Sequence, residues 1–182
     1  MSKIGLFYGS STSNTEYIAD EIRDLIESHL GSSSIEVINI GNSDINALLD
    51  YDYLILGIPT WDIGELQVDW DIKWDALESL NLHGHKVAIF GLSDQYGYPT
   101  TFQDAMGMLA ETVLANGAEL CGFWKVEGYE FEDSLGLSLD GTAFMGLALD
   151  EDNQHELTPQ RLQVWTNQVL VEFGLLEKAP AQ

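Results

Sequence analysis

The sequence predicts an α/β fold built on a doubly wound, five-stranded parallel sheet. Short apolar segments alternate along the chain with longer segments in which apolar residues recur at helical spacing. The short segments are apolar throughout, which is typical of parallel strands that are covered on both faces. Hydrophobic residues make up 45% of the 182 residues, so the chain can build a substantial core within one domain.

The predicted elements follow one another in regular order. Five apolar segments are predicted to form the strands, at residues 3–9, 35–40, 51–59, 86–93 and 118–123. Helical spacing of apolar residues predicts four helices, which cover residues 18–30, 70–77, 102–113 and 162–173. Thr158 and Pro159, just before the last of these, are typical of a helix cap and a first turn.

One long segment breaks this alternation. Residues 125–153 are acidic and interrupted by glycines, and they separate the fifth predicted strand from the last helix. We interpret this segment as an excursion within the fifth strand, with residues 143–149 returning to the sheet and an insertion at about 125–147. The prediction is a single domain over residues 1–176 with a C-terminal tail at 177–182.

The charge of the chain argues against several classes of binding partner. Thirty acidic and seven basic residues give a formal net charge of −23, which disfavours nucleic acids and anionic membrane surfaces and favours a basic protein partner. Cys121 is the only cysteine and lies in an apolar segment, which predicts a buried structural thiol. No apolar run reaches the length of a membrane span, and no signal-peptide pattern is present. We therefore expect a cytoplasmic monomer.

A run of hydroxyl-bearing residues follows the first predicted strand and precedes the first helix. It consists of Ser10, Ser11, Thr12, Ser13, Asn14 and Thr15, with no lysine or arginine. The N-terminus of a helix offers unpaired N–H groups to an anion. The nucleotide-triphosphate loop and the glycine-rich dinucleotide pattern are both missing. The run therefore favours a monophosphate held by backbone and hydroxyl groups, although an ordinary helix cap would have the same composition.

Two further loops are predicted at the same edge of the sheet. Residues 57–70 follow the third strand and carry Trp61, and residues 91–107 follow the fourth strand and carry Tyr98. Either ring alone would be interpreted as a packed loop aromatic. Two aromatic rings on opposed loops beside a phosphate site together indicate a clamp for a flat heterocycle.

These segments resemble one known family. The motifs GLFYGSST, ILGIPTWDIGE, EGYEF and GLALDE, in this order, are similar to those of long-chain flavodoxins, and most similar to the second-type flavodoxins of gamma-proteobacteria. The resemblance runs from about Lys3 to Phe173. It implies a flavodoxin-like sheet with strand order 2-1-3-4-5, an FMN cofactor and a long insertion in the fifth strand.

The resemblance also implies roles for particular residues. Ser10 to Thr15 would hold the FMN phosphate, Trp61 would stack on the inner face of the flavin ring, and Tyr98 would stack on the outer face. Thr60 and Asp150 would lie near the ribityl chain. Backbone groups of Asp62, Ile63 and Gly64 and of Ser93 and Asp94 would meet the polar edges of the ring. The remaining residues counted with the FMN site are Pro59, Leu92 and Gln103.

One position departs from the family pattern. The phosphate loop of the family usually has glycine where this chain has Ser13. If that position requires a left-handed backbone, serine strains it by roughly 1–2 kcal/mol.

The function implied is that of a low-potential one-electron carrier without a substrate of its own. Its partners would be a flavoprotein of the ferredoxin/flavodoxin–NADP reductase type and other redox proteins with basic docking surfaces. The alternative on the same fold is an FMN-dependent NAD(P)H quinone or azo reductase. A receiver-type signalling domain is disfavoured because the first strand is not followed by acidic residues. No catalytic group or metal site is predicted.

Overall fold

The structure is a computed structural model that describes residues 4–181. Lys3, which begins the first predicted strand, and Gln182, which ends the predicted tail, lie outside the described residues, as do Met1 and Ser2. The strands are β1 Ile4–Tyr8, β2 Ile35–Asn39, β3 Tyr53–Trp61, β4 Glu65–Leu66, β5 Lys86–Leu92, β6 Glu119–Cys121, β7 Trp124–Lys125, β8 Ala143–Phe144 and β9 Leu147–Leu149. The α-helices are α1 Asn14–Leu30, α2 Val68–Glu78, α3 Asp104–Ala115 and α4 Thr158–Phe173, and short 3-10 helices cover Ile40–Asn42, Ile45–Asp50 and His155–Leu157.

The main sheet is parallel and has the order β2-β1-β3-β5-β6. Strand β4 is a short antiparallel partner of β3, with Trp61 opposite Glu65. When this hairpin is set aside, the order is 2-1-3-4-5, and the predicted α/β fold class is confirmed. Helices cover both faces of this sheet, and strands buried in this way are apolar throughout, which is why the apolar segments predicted it.

The fifth strand of the sheet is interrupted. Strand β6 pairs with residues 86–88 of β5, and β9 pairs with residues 90–92 of the same strand. The chain between them makes the predicted excursion, which begins and ends with the small antiparallel pair of β7 and β8. The expected return of residues 143–149 to the sheet is wrong for its first residues. Residues 143–144 pair with β7, and only residues 147–149 join the main sheet.

Two apolar clusters lie on opposite faces of the sheet. One contains the buried residues of α2 and α3, including Trp70, and the other contains those of α1 and α4, including Trp165. Both tryptophans are fully buried and satisfy their ring N–H groups on the backbone: Trp70 Nε1 donates to Gly57 O at 3.0 Å, and Trp165 Nε1 donates to Gly122 O at 2.8 Å. Buried Cys121 lies in the second cluster, and burial raises the pKa of its thiol to about 11. The thiol is therefore structural, as predicted.

Helix α4 begins at Thr158, whereas a Thr158 cap would place its first residue at Pro159. Leu157 occupies the cap position and makes no side-chain capping bond, while Pro159 lies in the first turn. The hydroxyl of Thr158 donates instead to the Glu151 carboxylate, which therefore has a fixed position in the loop before the helix. Among residues 4–181, no helix is long and apolar enough to cross a membrane.

The insertion packs through aromatic rings on Phe102, just before α3, and through one close backbone contact on α3 itself. Phe102 lies against Tyr129, Phe131 and Phe144, with ring centroids 5.5–5.9 Å away. A Cβ atom built on Gly107 of α3 would lie only 2.1 Å from Leu135 O. The insertion can therefore approach α3 this closely only because residue 107 has no side chain.

We predict that Gly107→Ala lowers the free energy of unfolding, although alanine favours a helix over glycine by about 1 kcal/mol. The new methyl group would meet the backbone of residues 135–136, which has no rotamer to change, and overpacking of this kind costs about 1–3 kcal/mol. Denaturant unfolding measures the change. Glu111→Ala on the exposed side of the same helix is the control and should stay within about 0.5 kcal/mol of wild type. A Gly107→Ala protein more stable than wild type would contradict the prediction.

Candidate functional site

A cleft of about 330 Å³ opens at the carboxyl edge of the parallel sheet. Four loops surround it, and these follow β1, β3, β5 and β9, because the carboxyl ends of parallel strands meet at one edge. The residues that line it are Thr12, Asn14, Thr15, Pro59, Thr60, Trp61, Asp62, Leu92, Ser93, Asp94, Tyr98, Glu151 and Asp152. Except for the last two, all of these were named from the sequence.

The loop after β1 presents donors that have no partner in the described part of the chain. Ser13 is the N-cap of α1 with a left-handed backbone, φ 68°, and makes no side-chain capping bond. The backbone N–H groups in the first turn of α1 have no intrahelical acceptor. The hydroxyl oxygen of Ser10 is buried and without a hydrogen-bond partner among residues 4–181. Backbone and side-chain donors therefore point to an anion at this end of the cleft.

The loop after β3 is the tight β3–β4 hairpin. Its turn contains two residues with positive φ, Asp62 at 41° and Gly64 at 80°, and it leaves the Ile63 side chain 76% exposed. The ring nitrogen of Trp61 is buried without a partner among the described residues. Behind the hairpin, buried Gln67 caps α2 by accepting from Asp69 N and Trp70 N. The hairpin thus holds an aromatic ring with an unused N–H donor on the wall of the cleft.

The loop after β5, residues 93–99, forms the opposite wall and is here called the outer loop. Asp94 organises it: Oδ1 accepts hydrogen bonds from Tyr96 N at 3.0 Å and from Gly97 N at 2.7 Å, and the Asp94 carbonyl accepts from Tyr98 N at 3.1 Å. Burial acts to raise the pKa of Asp94, but the hydrogen bonds from Gly97, Asn153 and Tyr96 together outweigh it, and the pKa lies below its ordinary value. Asp94 is therefore ionised at neutral pH. Tyr98 lies on the cleft with 41% of its surface exposed.

The loop after β9 contributes two residues that the sequence analysis missed, Glu151 and Asp152. The motif GLALDE could have revealed them. It contains the strand that ends the insertion, and the loop after that strand lies at the same edge of the sheet as the loops after β1, β3 and β5. Burial and the charges of Asp94 and Asp150 raise the pKa of Asp152.

Two residues expected in the site lie behind it. Gln103 and Asp150 are both fully buried and do not line the cleft. Gln103 Nε2 donates to Gly91 O and Leu149 O, both at 3.1 Å, and so joins the ends of β5 and β9. Asp150 bonds to the outer loop through Gln95. The other named residues that do not line the cleft are Ser10, Ser11, Ser13, Ile63 and Gly64, all in the loop after β1 or the hairpin.

The cleft carries negative charge and no compensating cation. Four carboxylic residues line it, and no lysine or arginine does. Lys73, the nearest lysine in sequence to the hairpin, donates to Ser43 O at 2.6 Å. A ligand phosphate here would be held by N–H and O–H groups alone, and a ring between Trp61 and Tyr98 would lie among carboxylates.

Comparison with known proteins agrees with this geometry. The sequence profile of the flavodoxin family matches residues 6–165. The chain is 47% identical over 175 residues to flavodoxin of Synechococcus elongatus, covering 96% of this chain and all of that protein. It is also 47% identical over 171 residues to flavodoxin 2 of Escherichia coli K12, covering 94% of this chain and 96% of that protein. The solved structure of Fusobacterium nucleatum flavodoxin bound to flavin mononucleotide superposes with a TM-score of 0.87 at 30% identity, covering 94% of this chain and 99% of that one. With its insertion in the fifth strand, this chain belongs to the flavodoxin family as a long-chain member.

Proposed function

We propose that this protein is a low-potential one-electron carrier that shuttles electrons between redox proteins through non-covalently bound FMN. It is an electron-transfer protein and not an enzyme with a substrate of its own. The observation that carries the proposal is the cleft itself, which combines unpaired anion donors, two aromatic rings and four carboxylic residues. The Fusobacterium relative, whose structure superposes over nearly the whole chain, is bound to flavin mononucleotide.

The donors at the β1 end of the cleft fit the phosphate of FMN. Ser10 Oγ in the loop after β1 is buried and unpaired among the described residues, as is Trp61 Nε1 on the hairpin after β3, and phosphate oxygens would satisfy such donors. The hydroxyls of Thr12 and Thr15 line the same end. The positive end of the α1 dipole adds to the attraction, so the absence of a lysine does not disqualify the site.

The walls of the cleft fit the flavin ring. Trp61 on the hairpin and Tyr98 on the outer loop are the two aromatic rings that line it. Aromatic rings favour offset stacking with a flat heterocycle, and each such contact contributes about 0.5–1.5 kcal/mol beyond the area it buries. Two covering rings also leave little room for a nicotinamide to stack, which favours the carrier over the reductase.

The charges of the cleft account for a low potential. FMN supplies the redox chemistry, and the protein sets the electrostatics around it. Asp62, Asp94, Glu151 and Asp152 disfavour additional negative charge on a bound ring, and the aromatic walls exclude water and strengthen this effect. Each tenfold difference in binding between two redox states shifts a one-electron potential by about 59 mV. The acidic lining therefore acts to release the second electron at low potential.

Stepwise anaerobic reduction of the purified yellow protein tests the proposed function. The expected result is two resolved one-electron steps in the visible spectrum, because the carboxylates oppose the second electron more than the first. Turnover of NAD(P)H by the isolated protein with bleaching in a single two-electron step would indicate the quinone or azo reductase instead. A colourless protein that fails to bind added FMN would overturn both functions.

A second prediction concerns the strained serine of the phosphate loop. Ser13 and Ser33 both have a left-handed backbone, with φ 68° and 64°, but only Ser13 lies beside the cleft. The Ser13 carbonyl accepts from Tyr17 N at 3.0 Å, so Ser13 is joined to the first turn of α1. We expect Ser13→Gly and Ser33→Gly each to raise the free energy of unfolding by about 1 kcal/mol, because glycine removes the strain.

Comparison of Ser13→Gly with Ser33→Gly distinguishes strain that affects only the stability of the fold from strain that affects FMN binding. We expect Ser13 to keep this backbone whether or not FMN is bound, so relief of its strain should change the FMN dissociation constant by less than about threefold. Denaturant unfolding of the apoprotein and titration with FMN measure the two quantities. If FMN binding tightens strongly in Ser13→Gly but not in Ser33→Gly, the strain belongs to the bound state and the prediction is wrong.

The partners we infer are basic. A protein with a net charge of −23 is steered toward positive surfaces, and the acidic rim of the cleft lies where an electron must leave. A flavoprotein of the ferredoxin/flavodoxin–NADP reductase type with a basic rim is the partner class that fits. Such encounters are small in area and weak. The monomeric state and the cytoplasmic location stay predictions.

Salt should therefore slow reduction by such a reductase. From about 0.01 M to about 1 M salt the Debye length falls from about 30 Å to about 3 Å, and we expect the rate to fall at least about tenfold. Stopped-flow kinetics measures this rate. Reduction by dithionite, an anion, is the control and should respond in the opposite direction. A rate with the basic reductase that is insensitive to salt would contradict electrostatic steering.

A further inference from the structure

We propose that Gln95 is a positioning residue through which the insertion fixes the outer loop of the FMN site. Gln95 is fully buried and does not line the cleft. It lies between Asp94 and Tyr98, which do, and it bonds to two other parts of the chain. The inference rests on the proposed function, because it concerns how the site for FMN is held in shape.

The side chain of Gln95 joins the insertion to the loop after β9. Its Oε1 accepts a hydrogen bond from Glu130 N in the insertion at 2.7 Å. Its Nε2 donates to Asp150 Oδ2 at 2.7 Å, and its backbone N–H donates to the same oxygen at 3.1 Å. A side chain that both accepts and donates is required here, since one neighbour is an N–H group and the other a carboxylate.

Asp150 depends on this contact because it is buried without a cation. The other hydrogen bonds to its carboxylate come from Asn153: the backbone N–H donates to Oδ1 at 3.1 Å, and Nδ2 donates to Oδ1 at 3.1 Å and to Oδ2 at 2.9 Å. All of these donors are N–H groups, so the carboxylate acts only as an acceptor. No salt bridge within residues 4–181 reaches Asp150. A buried carboxylate that loses a donor keeps its full desolvation penalty, so replacement of Gln95 should disturb the loop around it.

The network ends at the wall of the cleft. Asn153 Nδ2 also donates to Asp94 Oδ1 at 2.8 Å, the same oxygen that holds Tyr96 N and Gly97 N. Hydrogen bonds therefore connect the insertion, Gln95, Asp150 and Asn153 to the residue that shapes the outer loop.

The insertion also holds the outer loop on the far side of Gln95. Glu132 N and Asp133 N both donate to Pro99 O, at 2.8 and 3.1 Å. The Tyr96 hydroxyl donates to the Glu130 carboxylate at 3.3 Å. The bond from Glu130 N to Gln95 is partly buried, whereas the bond from the Tyr96 hydroxyl to Glu130 is exposed, so water competes less with the contact through Gln95.

Gln95→Glu tests the proposal because its effect should depend on pH. A neutral glutamic acid has nearly the same shape and can donate its O–H to Asp150 while its carbonyl accepts from Glu130 N. An ionised one cannot donate, and the titratable or charged groups around it are mainly acidic: Asp94, Tyr96, Tyr129, Glu130, Asp150 and Asp152, with Arg161 lying over the Tyr129 ring. Relative to wild type at each pH, FMN affinity should be close to unchanged in acid and at least about tenfold weaker at neutral pH.

Gln95→Met removes the hydrogen bonds without adding charge. We expect the FMN dissociation constant to rise about tenfold relative to wild type at every pH. Amide hydrogen exchange at Glu130 should also become faster in the apoprotein. Gln168→Met is the control, since Gln168 is half-buried and donates through an exposed hydrogen bond to Phe123 O at 2.9 Å, on another part of the surface. It should leave both FMN affinity and exchange at Glu130 unchanged.

The two readouts separate the possible failures. If exchange at Glu130 becomes faster but FMN affinity stays at the wild-type value in both variants at every pH, Gln95 only anchors the insertion and the proposal is overturned. If Gln95→Met does not fold, the difference in FMN affinity of Gln95→Glu between acid and neutral pH still decides the matter. A wild-type protein that binds no FMN would overturn the proposed function, and this inference with it.

Discussion

The pairing of β5 with two separate strands determines the site. Because β6 covers only residues 86–88 of β5, residues 90–92 are left for β9, and the chain can leave the sheet and return between the two. The return brings the loop after β9 beside the loop after β5. Glu151 and Asp152 reach the cleft for this reason, and Asp150 comes to lie against Gln95. Without the pairing of β9 with β5, only the loops after β1, β3 and β5 would surround the cleft.

The cleft combines two electrostatic demands that conflict. A cation would bind phosphate strongly, but it would also stabilise negative charge on a reduced ring and raise the potential. In the proposed site, helix N–H groups and hydroxyls would hold the anion, and the carboxylates that line the cleft would face the rest of the ligand. Dipoles act at short range, whereas a full charge acts over a longer distance. The site can therefore attract an anion at one end and oppose added negative charge at the other.

The sequence predicts the parts of this fold that depend on local pattern. Continuous apolar strands, the hydroxyl loop and the loops that carry Trp61 and Tyr98 could all be found, because each has its own composition and all parallel strands end at one edge. Ser13 has the left-handed backbone that is the condition for strain there, and glycine at the equivalent family position fits such a backbone. Asp150 and Gln103 could not be separated from cleft residues in this way. Whether a polar residue faces a ligand or the protein behind it depends on the side chains of distant segments, such as Gln95 for Asp150.

The hydrogen bonds between the insertion and the site also join distant segments, so the local sequence does not reveal them. The way the insertion is attached suggests why these bonds are present. Its aromatic rings and the Gly107 contact fix it on α3, so apolar packing already provides attachment. Apolar contacts tolerate small sliding movements, whereas hydrogen bonds lose most of their strength when the donor and acceptor move out of line. A bond from Gln95 to Glu130 N therefore adds a defined position and not only attachment. The segment that makes this family member long is in this way connected to the loop that carries Tyr98 by hydrogen bonds, of which those between Gln95 and Asp150 are buried.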